Sequence, residues 1–206
     1  MRANKLVVEL FSLAILSGSL VACSKNASNS KPQSMQNMKI NTTKSNSKSN
    51  IFTDDDYNAI VDEKNSTVLD LSDIYNLKAE NVSISGNIIT ISSEGTYILT
   101  GELEEGQIIV NAKDEDKVRL VLKEVSITSS KGSPILVKNA SKTIITLASN
   151  TNNKLELKGD FGKEKNKDSV IFSNSDLSFN GTGILNLFSS YGRGIVSQDK
   201  VVFVDG

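Results

Sequence analysis

The chain has 206 residues, 38% hydrophobic and 23% charged, enough for one large domain or two small ones. It holds no histidine, no tryptophan and one cysteine, Cys23, which excludes a Ser–His–Asp triad, a Cys–His dyad, a histidine-ligated zinc site and an internal disulfide. Residues 1–50 carry seven bases against Glu9, and residues 51–206 carry 16 bases against 23 acids, a net of −7 that excludes a phosphate-neutralising surface and hence nucleic acid as a partner.

Residues 1–23 read as a secretion signal. Arg2 and Lys5 are its charged start, and Leu10 to Leu20 its apolar core, too short to span a bilayer. The core ends in Leu20-Val21-Ala22-Cys23, which resembles a lipoprotein lipobox. This predicts acylation at Cys23, the chain's one cysteine, and a lipid anchor on the outer face of the cell membrane. Residues 24–50 hold seven Ser, six Asn and five Lys with no apolar periodicity, the composition of a disordered, solvated tether. The domain starts near residue 51. Asp54-Asp55-Asp56 ahead of Tyr57 either chelates a cation or caps a short helical turn.

From residue 82 onward, short runs alternate apolar and polar: Val82-Ile84, Ile89-Ile91, Tyr97-Leu99, Ile108-Val110, Val118-Leu122, Val125-Ile127, Ile135-Val137, Ile145-Leu147, Leu155-Leu157, Leu177-Phe179, Leu185-Leu187 and Val201-Phe203. Alternation with a period of two predicts strands with one buried face. The runs also recur at longer range. Ile108, Val110, Val118 and Leu120 stand 27 residues before Ile135, Val137, Ile145 and Leu147; Ile171, Leu177 and Phe179 stand 24 before Ile195, Val201 and Phe203. Ile135 to Ile171 is 36, an interval that the charged insertion Gly159–Asp168 lengthens by ten. A repeat of this length built from short strands predicts a β-solenoid with about three strands per coil and stacked apolar ladders. A β-sandwich is the competing architecture, but it carries no such register. The pattern stops at Val201–Gly206 in mid-repeat, so the solenoid is expected to be incomplete at its C-terminal end.

The stretch from Phe52 to Gly206 resembles bacterial carbohydrate-binding-domain proteins. The resemblance rests on Gly95-Thr96-Tyr97-Ile98-Leu99-Thr100-Gly101, Gly106-Gln107-Ile108-Ile109-Val110, Asp116-Lys117-Val118-Arg119-Leu120-Val121-Leu122 and Val125-Ser126-Ile127-Thr128-Ser129-Ser130. Pro134-Ile135, Val137-Lys138-Asn139-Ala140 and Gly194-Ile195 follow in the family's order. It implies an all-β, right-handed parallel β-helix similar to polysaccharide lyases over residues 51–206. It also implies binding of plant cell-wall polysaccharide, acidic pectic polymer included, and bound calcium. Where the family often carries an Asp-Asp pair, this chain reads Ser175-Asp176 and Asp199-Lys200.

Calcium takes six to eight hard oxygens, so clustered carboxylates are its candidate ligands. The acidic turn Asp114-Glu115-Asp116 is one such cluster, and the alternative for it is a solvated turn. Asp176 and Asp199, 23 residues apart, are the second, with Lys200 as the alternative partner that relieves their repulsion. For the polymer, Tyr191-Gly192-Arg193-Gly194 offers an aromatic face and a guanidinium that can fork onto a uronate carboxylate; the alternative is a tight turn. The leading function is noncovalent polysaccharide binding by a surface-anchored lipoprotein, assisted by calcium. A calcium-dependent polysaccharide lyase, with Arg193 or Lys200 as base, and a purely structural or adhesive surface solenoid are the alternatives.

Overall fold

The computed structural model describes residues 52–159 and 168–204; the lipobox, the tether and most of the charged insertion lie outside them. Its elements are one helical turn, α1 (Asp54–Tyr57), two 3-10 turns at Glu63–Asn65 and Leu71–Asp73, and strands. In chain order the strands are β1 (Thr67–Asp70), β2 (Val82–Ser85), β3 (Ile88–Ile91), β4 (Gly95–Leu103), β5 (Gln107–Asn111), β6 (Lys117–Ser129) and β7 (Ile135–Asn139). Then come β8 (Lys142–Leu147), β9 (Asn152–Leu157), β10 (Ser169–Ser173), β11 (Asp176–Gly181), β12 (Ile184–Ser189), β13 (Arg193–Ser197) and β14 (Val201–Phe203).

These strands form two sheets. The first runs β1-β4-β6-β8-β11-β14, with β9 pairing the second half of β6 and β12 pairing β9; the second runs β13-β10-β7-β5-β3-β2. The pairings are parallel except for the antiparallel hairpin β2–β3 that edges the second sheet.

This arrangement corrects the expected right-handed parallel β-helix. The chain is all-β and mostly parallel, but its strands make two sheets rather than the faces of a three-strand coil. The physical reason lies in β4 and β6, which continue unbroken where a corner was expected. They bend instead, at Gly101 (φ 80°) and Glu124 (φ 60°), and the strands on either side stay hydrogen-bonded within one sheet. Asn150 (φ 60°) lies between β8 and β9, and Gly181 (φ 90°) ends β11, at the matching places in later repeats. A left-handed residue turns the strand direction without ending the sheet, at least strain where it is glycine. A Cβ on Gly181 would run into the backbone of Leu147, so that bend admits no side chain.

Long-range register is present within the two sheets. Ile89, Ile108, Ile135, Ile171 and Ile195 stand side by side across five strands of the second sheet. Tyr97, Leu120, Ile145, Phe179 and Phe203 do so across the first, and the two phenylalanine rings stack at 4.9 Å and 11°. Two expected matches are shifted: Val118 pairs Thr143, not Ile145, and Leu120 pairs Ile145, not Leu147, intervals of 25 rather than 27. A bulge between Val110 and Asn111 and the longer turn before β6 absorb the difference. The shift is even, so the same face stays inward. Each inward Ile, Leu or Val contributes on the order of 1.5–3 kcal/mol by burial, and Ile89, Ile108, Ile135, Ile145 and Ile171 are fully buried.

A second buried layer lies on the outer side of the first sheet. Val121 and Ile144 point away from the core and are nevertheless buried. The segment 53–58 is tied down around them. Asn180 donates to the carbonyls of Asp56 and Asn58, Arg119 to those of Asp55 and Asn58, and Lys142 Nζ lies 2.5 Å from Asp56 Oδ1. The Thr53 backbone amide donates to Asp56 Oδ2 at 2.7 Å, which makes the aspartate the inner member of a capping box. Asp54-Asp55-Asp56 therefore starts a helical turn, the second of the two readings offered by the sequence. Burial by itself raises the Asp56 pKa. Contacts from Lys142 and hydrogen bonds from the Thr53 backbone and hydroxyl outweigh it and hold the carboxyl at about 2.

Candidate functional site

The acidic turn between β5 and β6 is internally bonded. Asp116 is buried, and its carboxylate accepts from the Lys113 amide at 3.2 Å. Its carbonyl accepts from the Ser141 amide and hydroxyl. Asp114 Oδ1 accepts from Asn139 Nδ2 at 2.7 Å, while Glu115 points to solvent. Asp176, at the start of β11, is paired with Lys200 at 3.1 Å. Asp199 lies in the turn before β14, where its amide donates to Ser197 Oγ. The structure thus ties Asp176 to Lys200, the alternative partner read from the sequence. Among the described residues no group of three or more acidic or other ligating side chains converges. Asp114, Asp116 and Asp176 are thus bonded to Asn139, the Lys113 amide and Lys200 respectively.

Tyr191 is well exposed in the turn between β12 and β13. Arg193, at the start of β13, donates from Nη2 to both oxygens of Asp168 at 2.7 and 2.8 Å, and its amide donates to the Asp168 carbonyl. The guanidinium that a uronate would need is thus ion-paired, through one nitrogen, with a carboxylate of the preceding repeat. The Tyr191 ring remains available to a ligand.

A cleft that the sequence reading missed lies along the turns at one edge. Ser85, Gly86, Asn87 and Ile88 from the β2–β3 hairpin line it with Glu105 and Gln107 around the start of β5, and with Lys131 from the turn after β6. Three successive turns stack here because their strands pair in register. The lining side chains are held in place. Asn87 donates to the Glu104 carbonyl at 2.8 Å, Gln107 to the Ser133 carbonyl at 2.9 Å, and Glu105 accepts from the Ser130 amide and hydroxyl. Glu105 adopts φ 50°, a left-handed conformation uncommon outside glycine, asparagine and aspartate. Lys131 has no ion-pair partner among the described residues. Two amides, a carboxylate and an ammonium around an open cleft donate to and accept from hydroxyl groups in several directions. Part of the signal was present: Glu105 and Lys131 occupy turn positions 26 residues apart, within the spacing of the repeats, whereas Asn87 stands 18 before Glu105 and outside it.

The family model for carbohydrate-binding domain-containing proteins matches residues 85–206, more than half of the chain, and the chain belongs to that family. Over 137 residues it is 31% identical to a carbohydrate-binding domain-containing protein of Acetivibrio thermocellus, covering 63% of this chain and 48% of the relative. A gadolinium derivative of the polysaccharide lyase-like protein from C. thermocellum is structurally similar, with a TM-score of 0.60 at 26% identity over 68% of this chain and 58% of that one. The chain spans about half the length of the curated relative it matches. The cleft, the acidic turn and the Tyr191–Arg193 turn fall within the matched region; the segment 53–58 lies before it.

Proposed function

We propose that the protein binds polysaccharide noncovalently at the outer surface of the cell, anchored by lipid at Cys23 and extended by the tether of residues 24–50. The observation that carries the reading is the cleft of Asn87, Glu105, Gln107 and Lys131, whose pre-positioned side chains match the hydroxyl-rich surface of a sugar, in a chain of the carbohydrate-binding family. Ordering those side chains before binding lowers the entropy cost of association. Plant cell-wall polysaccharide, pectic polymer included, is the ligand class that the resemblance implies. Binding is favoured over elimination because both candidate bases are engaged: Arg193 on Asp168 and Lys200 on Asp176.

The test is retention of the full chain on insoluble cell-wall polysaccharides, with absorbance at the unsaturated-uronide band followed in parallel. Retention without new absorbance, weakened by the Gln107→Ala and Lys131→Ala variants, is the expected result. In cells, Cys23→Ser should release the protein from membranes. Passage through every polysaccharide column would overturn binding, and membrane retention of Cys23→Ser would overturn the anchor.

A further inference from the structure

The outer side of the second half of β6, of β9 and of β12 is a flat surface that the cleft does not include. Val125, Ile127, Leu155 and Leu157 point into the core, and Leu185 and Leu187 pack against it, so alternation sends their neighbours outward. Parallel register sets those neighbours in rows. Ser126, Lys154 and Asn186 form one, and Thr128, Glu156 and Phe188 the next. Adjacent members of a row are about 4.8 Å apart and successive rows about 6.6 Å, the scale of one sugar ring.

Phe188 is the feature that a solvated sheet face does not call for. Its ring is 50% exposed on a largely polar surface that also exposes Ile184 at the start of β12. The polar side chains around it are bonded to one another. Lys154 Nζ stands 5.3 Å from the ring centroid and 2.8 Å from Glu156 Oε2, and Asn186 Nδ2 donates to Asn152 Oδ1 at 2.6 Å. An aromatic face bordered by hydroxyls, an amide and an ion pair suits a ligand with an apolar C–H face and a rim of hydroxyls. The two charges beside the ring, Lys154 and Glu156, cancel. An anionic chain would have to break that pair and approach a domain of net charge −7, whereas a neutral chain would not.

We propose that this face binds a neutral polysaccharide chain running across β6, β9 and β12, with one sugar ring stacked on Phe188. The proposal rests on the polysaccharide-binding reading above and assigns it a second site and a ligand class. The chain lacks tryptophan, so Phe188→Trp places a single fluorescent reporter at the site.

The experiment titrates the full chain, Phe188→Ala, Phe188→Trp and Lys131→Ala with soluble neutral oligosaccharides (cello-, xylo- and manno-series) and with polygalacturonate. The expected result is neutral binding weakened about tenfold or more in Phe188→Ala. It includes retention in Phe188→Trp with a shift in its fluorescence, and weaker binding of polygalacturonate throughout. Neutral binding that Phe188→Ala leaves intact, or that only Lys131→Ala weakens, would overturn this site and keep the polysaccharide-binding reading. So would a preference for polygalacturonate. Failure of the unaltered chain to bind any glycan would overturn that reading and this site with it. Circular dichroism of Phe188→Ala checks that the fold is kept, and Phe188→Trp decides the matter if it is not.

Discussion

On the outer side of the first sheet, the half built from β6, β8 and β11 is roofed by residues 53–58, whereas the half built from β6, β9 and β12 faces solvent. Both halves share one long strand and the same inward core. They differ in what alternation sends outward. Val121 and Ile144 go out on the first half and must be covered. Ser126, Thr128 and Asn186 go out on the second, where Thr128 Oγ1 accepts from the Glu105 amide and Asn186 Nδ2 donates to Asn152 Oδ1 and the Asn153 carbonyl. Each half also carries a lysine–carboxylate pair. Lys142 and Asp56 are 7% and 0% exposed, while Lys154 and Glu156 are 46% and 28% exposed. The chemistry is the same, and the surroundings decide whether it holds the fold together or presents a surface to a ligand.

The sharpest way to break this comparison is to remove one partner of each pair. Lys142→Ala leaves a buried, unpaired carboxylate and should cost about 3–5 kcal/mol in urea unfolding. Lys154→Ala should cost no more than about 1 kcal/mol, because solvent already screens its charge. Equal losses would mean that the roofed half is no more tightly tied than the open one.

Acid should distinguish the halves next. The Asp56 carboxyl titrates at about 2, below its ordinary value of 3.8. A depressed pKa adds stability above the ordinary value, and that stability is lost as pH falls from about 4 toward 2. The difference corresponds to about 2 kcal/mol. Unfolding of the unaltered chain and of Asp56→Asn, compared at pH 6, 4, 3 and 2, should converge by that amount across this window. Parallel curves would refute the assignment.

The bend between the halves gives the smallest effect. Gly181→Ala meets the Leu147 backbone at φ 90° and should lose about 1–3 kcal/mol. Gly86→Ala has a left-handed φ of 57° but open space around it, so its loss should stay near 1 kcal/mol. The two melting curves, measured side by side, separate steric crowding from backbone strain.

Much of the scaffold was legible because it is local. Leu177 over Val201 and Phe179 over Phe203 followed from a constant interval of 24 residues. The match of Leu120 was misread by two residues, since a bulge and a longer turn change an interval without changing the alternation. Strand β1 was missed because Thr67–Asp70 stands outside the alternating series that begins at residue 82, and it is held by pairing with β4. The cleft and Phe188 sat within readable strands and turns. Arg193 was read as open to a ligand because its acid, Asp168, lies 25 residues away in the chain and beside it only in the fold.

Composition and alternation determined by themselves that this protein is built of strands, which side chains face inward, and that residues 1–206 hold no histidine-based site and no internal disulfide. Those properties depend on residue identity and on the two-residue period of an extended backbone, neither of which needs a distant partner. The tertiary structure alone decided that the strands form two sheets, that Asp56 lies buried against Lys142, and which acids are already bonded. Each of these depends on groups brought together across many residues by bends and register, and no local pattern records such a meeting.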